Sequence, residues 1–124
     1  MRRPLVLSGF MATGKSTVGK IIAERLRVPF VDTDEVLSAE AGRSIPEIFA
    51  TEGEARFRER EASVVLPMLA DPTPRVIAFG GGTTTIRRVR YAALEAATVV
   101  TLTATAESVM KRVASVSTRP NLAT

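Results

Sequence analysis

The stretch Gly9-Phe10-Met11-Ala12-Thr13-Gly14-Lys15-Ser16 fits G-x-x-x-x-G-K-[ST], and no other segment constrains the fold as strongly. A loop of this kind works only when a strand feeds it and a helix leaves it. Leu5-Val6-Leu7 is the short apolar run of a buried parallel strand. Val18, Ile21, Ile22 and Leu26 follow at the spacing of one helix face. Inside the loop, glycines let the backbone turn tightly and aim successive N–H groups at anionic oxygens. The Lys15 side chain can reach outer phosphates, and the Ser16 hydroxyl can ligate magnesium. The helix that follows points its positive dipole end at the same anion. Gly9, Met11, Ala12, Thr13, Gly14, Lys15, Ser16 and Thr17 are therefore the candidate nucleotide contacts.

Strands and helices alternate along the rest of the chain. Pro29-Phe30-Val31-Asp32 reads as a second strand ending in a carboxylate, and residues 33–41 as a helix stopped by Gly42. Ser44-Ile45-Pro46-Glu47 reads as a capping box, and Thr51-Glu52-Gly53-Glu54 as a second one, so a helix restarts there and runs to about Leu69. Asp71-Pro72-Thr73-Pro74 is a loop; Val76-Ile77-Ala78-Phe79 is a third strand running into Gly80-Gly81-Gly82. Ile86, Val89, Ala93 and Leu94 mark one helix face, 98–102 a fourth strand, 106–114 a last helix, and 115–124 a mobile loop. This order predicts an α/β fold of three layers, α/β/α, around a central parallel sheet of four strands. Ligands of such sheets bind beyond the carboxyl ends of the strands. The glycine loop, Asp32-Thr33-Asp34 and the triple glycine all fall there.

Composition narrows the chemistry. The 124 residues fit one domain, with 45% hydrophobic and 24% charged residues. With no cysteine and no histidine, thiol chemistry, imidazole bases and Cys/His zinc sites are excluded. Any metal must be held by oxygen, which favours magnesium, and any general base must be a carboxylate or lysine. No apolar run approaches membrane-spanning length, and Met1-Arg2-Arg3 runs straight into the first strand, so a cytoplasmic location is expected; a monomer is expected as well. The net charge is +4, and Arg75, Arg87, Arg88, Arg90, Lys111, Arg112 and Arg119 carry most of the later excess. That excess fits an anionic substrate, a nucleic acid or a solvated basic face; for Arg87, Arg88 and Arg90 the solvated face is the reading adopted.

Asp32 and Asp34 close the second strand. If the chain stays extended there, both carboxylates face the same side. One would support magnesium, and the other would orient or deprotonate an acceptor hydroxyl; the alternative role for either is helix capping. The run Arg56-Phe57-Arg58-Glu59-Arg60-Glu61 has no arginine that spacing alone singles out. The triple glycine would bring bare backbone N–H groups close to a ligand.

These motifs, in this order, resemble shikimate kinase: Gly9-Phe10-Met11, Asp32-Thr33-Asp34, Gly53-Glu54-x-x-Phe57-Arg58-x-x-Glu61, Gly80-Gly81-Gly82 and Arg119-Pro120. The resemblance implies ATP- and magnesium-dependent phosphorylation of the 3-hydroxyl of shikimate. It implies that Asp34, Arg58 and the backbone of Gly80, Gly81 and Gly82 hold shikimate, with Glu61 holding Arg58. It implies Lys15, Asp34 and Arg119 as catalytic residues, Ser16 and Asp32 as magnesium ligands, and Phe49 and Phe57 as pocket lining. Nucleic acid and membrane are not expected as partners. Ala12 and Asn121 depart from the family pattern, as does the end at Thr124. A fifth strand, a second substrate arginine and the adenine loop would lie beyond it, so a single kinase domain of residues 1–124, cut within its lid, is expected. The alternatives are a non-catalytic ligand-binding module of this type and another P-loop metabolite kinase.

Overall fold

A computed structural model of the chain describes residues 3–9 and 14–103. The parallel sheet has the order β2-β3-β1-β4. Its strands are β1 (Leu5–Gly9), β2 (Phe30–Asp32), β3 (Val76–Ala78) and β4 (Thr98–Leu102). The helices are α1 (Lys15–Leu26), α2 (Thr33–Ala41), α3 (Ile45–Ala70) and α4 (Arg87–Ala96), with a short 3₁₀ turn at Thr83–Thr85. The expected helix at 106–114 and the loop at 115–124 lie outside the described residues.

Alternation along the strands sorts the core into layers. Leu7 and Val76 face α1 and pack with Ala23, Val18, Ile22 and Phe30. Val6 and Ile77 face the other way, onto Ala62, Val65 and Leu69 of α3 and Val89 and Ala93 of α4. The α/β/α expectation is met, and β1 with β3 forms the buried centre. A smaller apolar cluster of Leu37, Ile48 and Phe57 joins α2 to both arms of α3, away from the sheet. The expected helix faces are narrower than their spacing implied. Ile21 and Leu26 lie open on α1, and Leu94 is exposed beside Val99 and Leu102 in a groove of about 470 Å³ between α4 and β4.

Local chemistry explains the helix ends. Ser44 caps α3 by accepting from the Glu47 N–H at 3.3 Å, while its hydroxyl donates to the Glu47 carboxylate at 3.0 Å. The Glu47 side chain thus bonds the serine hydroxyl rather than closing the reciprocal box. The second expected box is absent. The Thr51 hydroxyl donates back to the Glu47 carbonyl at 2.8 Å, and the break comes from Gly53, whose φ of 81° and ψ of 171° are not helical. A charge network straddles that break. Glu52 accepts from Arg60 at 2.7 and 3.0 Å and from Arg43 of the preceding loop, tying the two arms of α3 together.

Several arginines of the basic excess serve the scaffold. The buried Arg75 donates to the carbonyls of Met68, Asp71 and Thr73, closing the C-terminal end of α3. Arg3 does the same at α4, reaching Glu95 at 2.7 Å and Ala97 at 3.1 Å. Arg87 and Arg90 stack over Tyr91, and Arg90 also bonds the Thr84 carbonyl at 2.9 Å. Among the described residues, no helix is long and apolar enough to cross a membrane.

Candidate functional site

The carboxyl ends of β1, β2 and β3 converge on one edge, as doubly wound packing requires. At the end of β1, Gly9 has φ 139°, and a Cβ there would lie 2.4 Å from the Leu102 carbonyl oxygen. Only glycine fits such a backbone approach. Gly14 then starts α1 from the left-handed region, with φ 84° and no side-chain cap. Gly14 offers no side chain to cap the helix, which leaves room for an anion at that end. Phe10, Met11, Ala12 and Thr13 lie outside the described residues, as does Arg119. Thr17 is exposed on the first turn of α1.

Lys15 stands at this edge. Its ammonium donates to the Gly9 carbonyl at 2.5 Å. Burial lowers its pKa, and the carboxylates of Asp34 and Asp32 oppose that shift. Ser16, one residue on, donates to Asp32 Oδ2 at 2.7 Å.

The two aspartates divide their work differently from the extended-strand expectation. Asp32 is the last residue of β2 and the N-cap of α2. Its Oδ1 accepts from the N–H groups of Asp34 at 2.9 Å and Glu35 at 3.3 Å, leaving Oδ2 for Ser16. Capping and the bond to Ser16 thus coexist, one on each oxygen. Capping also starts the helix at once, so Asp34 sits in its first turn rather than on a strand face. Burial, then the charges of Asp32 and Glu61, raise the Asp34 pKa above its ordinary value; Lys15 and Arg58 pull it down.

Gly80, Gly81 and Gly82 follow β3, and the structure changes their meaning. The Gly80 N–H is not bare; it donates to Thr33 Oγ1 at 3.2 Å. What Gly80 and Gly82 provide is room for side chains. A Cβ on Gly80 would meet Asp34 Oδ1 at 2.6 Å, and one on Gly82 would meet an Arg58 terminal nitrogen at 2.4 Å. Asp34 and Arg58 therefore flank the glycines, brought there from α2 and α3.

Arg58 is held on three sides. Its Nη1 donates to Glu61 Oε1 at 2.6 Å. Its guanidinium carbon lies 5.7 Å from the Phe49 ring centre and 5.3 Å from that of Phe57. The two rings stack with centres 4.2 Å apart. Phe57 is core as well as platform, since it is 2% exposed in the cluster with Leu37 and Ile48. Arg58 Nε is buried and has no hydrogen-bond partner among the described residues; Glu54 Oε1 stands 3.9 Å from it. A partly exposed guanidinium, held in place and with donors to spare, is a ready carboxylate receptor.

Two further residues escaped the sequence reading. Thr33 and Thr83 are each fully buried, and each hydroxyl is bound into the site. Their signal was position alone: one between the two aspartates, the other directly after the glycines.

The chain has counterparts among known proteins. A family model described as shikimate kinase matches residues 11–124. Shikimate kinase from Geobacter sulfurreducens is 46% identical over 120 residues, covering 97% of this chain and 66% of the relative. Shikimate kinase from Bradyrhizobium diazoefficiens is 43% identical over 122 residues, covering 98% of this chain and 58% of the relative. The chain thus spans less than two thirds of either relative's length. The solved shikimate kinase from Acinetobacter baumannii in complex with shikimate superposes with a TM-score of 0.85 at 34% identity, covering 97% of this chain and 66% of that one.

Proposed function

The chain belongs to the shikimate kinase family, and from that premise we propose that it transfers the γ-phosphoryl group of ATP to the 3-hydroxyl of shikimate. The observation that carries the reading is Arg58. It is braced by Glu61 and two aromatic rings, keeps Nε without a hydrogen-bond partner among the described residues, and sits beside the glycines that also border Asp34. A small ring acid with a carboxylate at one end and a hydroxyl to phosphorylate at the other matches that pair.

The roles follow from chemistry. Arg58 grips the substrate carboxylate in two-pronged fashion. Asp34 anchors the acceptor hydroxyl and takes its proton; its raised pKa moves it toward the range where a base is effective. The backbone of Gly80, Gly81 and Gly82 borders the bound ring, with the Gly80 N–H already committed to Thr33. The uncapped start of α1 and Lys15 take the phosphates, and Lys15 offsets negative charge on the group in transit. Arg119 helps to offset that charge in the family pattern and lies outside the described residues.

The residues present fit magnesium. Ser16 and Asp32 bring two hard oxygen ligands together at 2.7 Å. Among the described residues, no group of three His, Cys, Asp or Glu could hold a metal ion. Bound there, magnesium would neutralise phosphate charge and align the phosphoryl group. A reaction on ATP and a small soluble acid fits the cytoplasm.

The test is an ADP-release assay with and without shikimate. Release that requires shikimate supports the reading. No release under saturating ATP and magnesium, or release indifferent to shikimate, overturns it.

A further inference from the structure

We propose that Thr83 is a positioning residue for the carboxylate clamp, acting on Arg58 through Glu61. Glu61 is a carboxylate at 1% exposure, and both of its oxygens are engaged. Oε1 accepts from Arg58 at 2.6 Å, and Oε2 accepts from the Thr83 hydroxyl at 2.6 Å. Thr83 is itself 0% exposed and belongs to the turn after the triple glycine, where its N–H bonds the Gly80 carbonyl at 3.2 Å and its carbonyl accepts from Ile86 at 3.2 Å. A continuous chain of bonds therefore runs from the glycine loop through Thr83 and Glu61 to the guanidinium.

That chain ties two parts of the candidate binding surface that come from separate segments, α3 and the loop after β3. A buried carboxylate must have its oxygens satisfied. With the hydroxyl present, one oxygen is pinned to the loop, and the other presents a fixed direction to Arg58. Without it, Glu61 can turn toward Arg58 with both oxygens and draw the guanidinium off its place beside Gly82. Short bonds to a charged acceptor are the stronger kind, so the loss should be measurable. The identity of the ligand rests on the proposed shikimate kinase reading; the Thr83 link itself rests on the geometry of Glu61.

The test measures shikimate and ATP binding by calorimetry on the wild-type chain and on Thr83→Val, Thr83→Ala and Thr83→Ser. Val is close in shape and lacks the hydroxyl, while Ala and Ser differ from each other only by it. Val and Ala should weaken shikimate binding about tenfold, with ATP changed less than about twofold and Ser within about threefold of wild type. Equal shikimate affinity in all four proteins would overturn the Thr83 role while leaving the kinase reading intact. So would parallel losses for both ligands, or a failure of both Val and Ala to fold while Ser folds, since either makes the hydroxyl structural. A wild-type chain that binds no shikimate would overturn both.

Discussion

Replacing Gly82 by alanine should separate shikimate binding from everything else the site does. The backbone there, at φ −108° and ψ 5°, is open to alanine, so strain does not confuse the result. The added Cβ would lie 2.4 Å from one terminal nitrogen of Arg58 and 2.8 Å from the guanidinium carbon. Non-bonded contact needs about 3.5 Å, so the guanidinium must retreat by about 1 Å. The Arg58–Glu61 bond of 2.6 Å cannot survive that retreat unless the whole side chain turns away from the glycines. A hydrogen bond to a charged group contributes about 1.5–3 kcal/mol, and the Arg58 side chain is 25% exposed, so the lower end applies. A penalty of about 1.5 kcal/mol leaves the clamp in its working position in fewer than about one molecule in ten. Shikimate affinity should then fall about tenfold, ATP affinity should hold, and the melting temperature should drop by no more than about 6 °C. Calorimetric titration with each ligand and a thermal melt read all three. Unchanged shikimate affinity would refute the claim that Gly82 exists to seat Arg58.

Asp34→Asn should lower turnover at least about a hundredfold while the melting temperature at pH 7 holds or rises. In the wild type the raised pKa means the folded state favours protonated Asp34, so the cost of ionising it is fully present above that pKa and is relieved as pH falls through it. The same shift predicts an acid limb in kcat/KM above the ordinary aspartate range; a profile flat down to pH 4 would contradict it. Glu52→Gln should flatten the acid side of the stability curve. The Glu52 pKa is held at about 2 by its bonds to Arg60 and Arg43, against 4.5 ordinarily, so its contribution is present above 4.5 and is lost as pH falls toward 2. Melts across that window check it. Lys15→Ala should abolish phosphoryl transfer with the circular dichroism spectrum unchanged; retained turnover would remove Lys15 from the chemistry.

The fold was legible because its signals are local. Strand runs at 5–7 and 98–102, the stop at Gly42 and the cap at Ser44 are each set by a few neighbouring residues, and each stands where its pattern placed it. The site was legible as a set of motifs but not as a set of contacts. Asp32 could be read as a cap or as a metal ligand; only the geometry shows that its two oxygens allow both arrangements. The glycines at 80 and 82 signal close approach, yet what approaches comes from residues 34 and 58, which sequence spacing cannot relate to them. Leu94 misled because helical spacing marks a face without saying what lies against it. Thr33 and Thr83 went unnoticed because a threonine becomes informative only when both its burial and its partner are known.

The central claim is that Asp34, Arg58 and the phosphate edge of α1 act together on one acceptor. The most direct measurement is phosphorus NMR of the product formed from ATP, magnesium and shikimate. The account predicts a single new phosphomonoester whose phosphorus couples to the proton on carbon 3 of shikimate, appearing in step with ADP. Inorganic phosphate alone, a phosphoester on a different hydroxyl, or no turnover with both ligands saturating would contradict it.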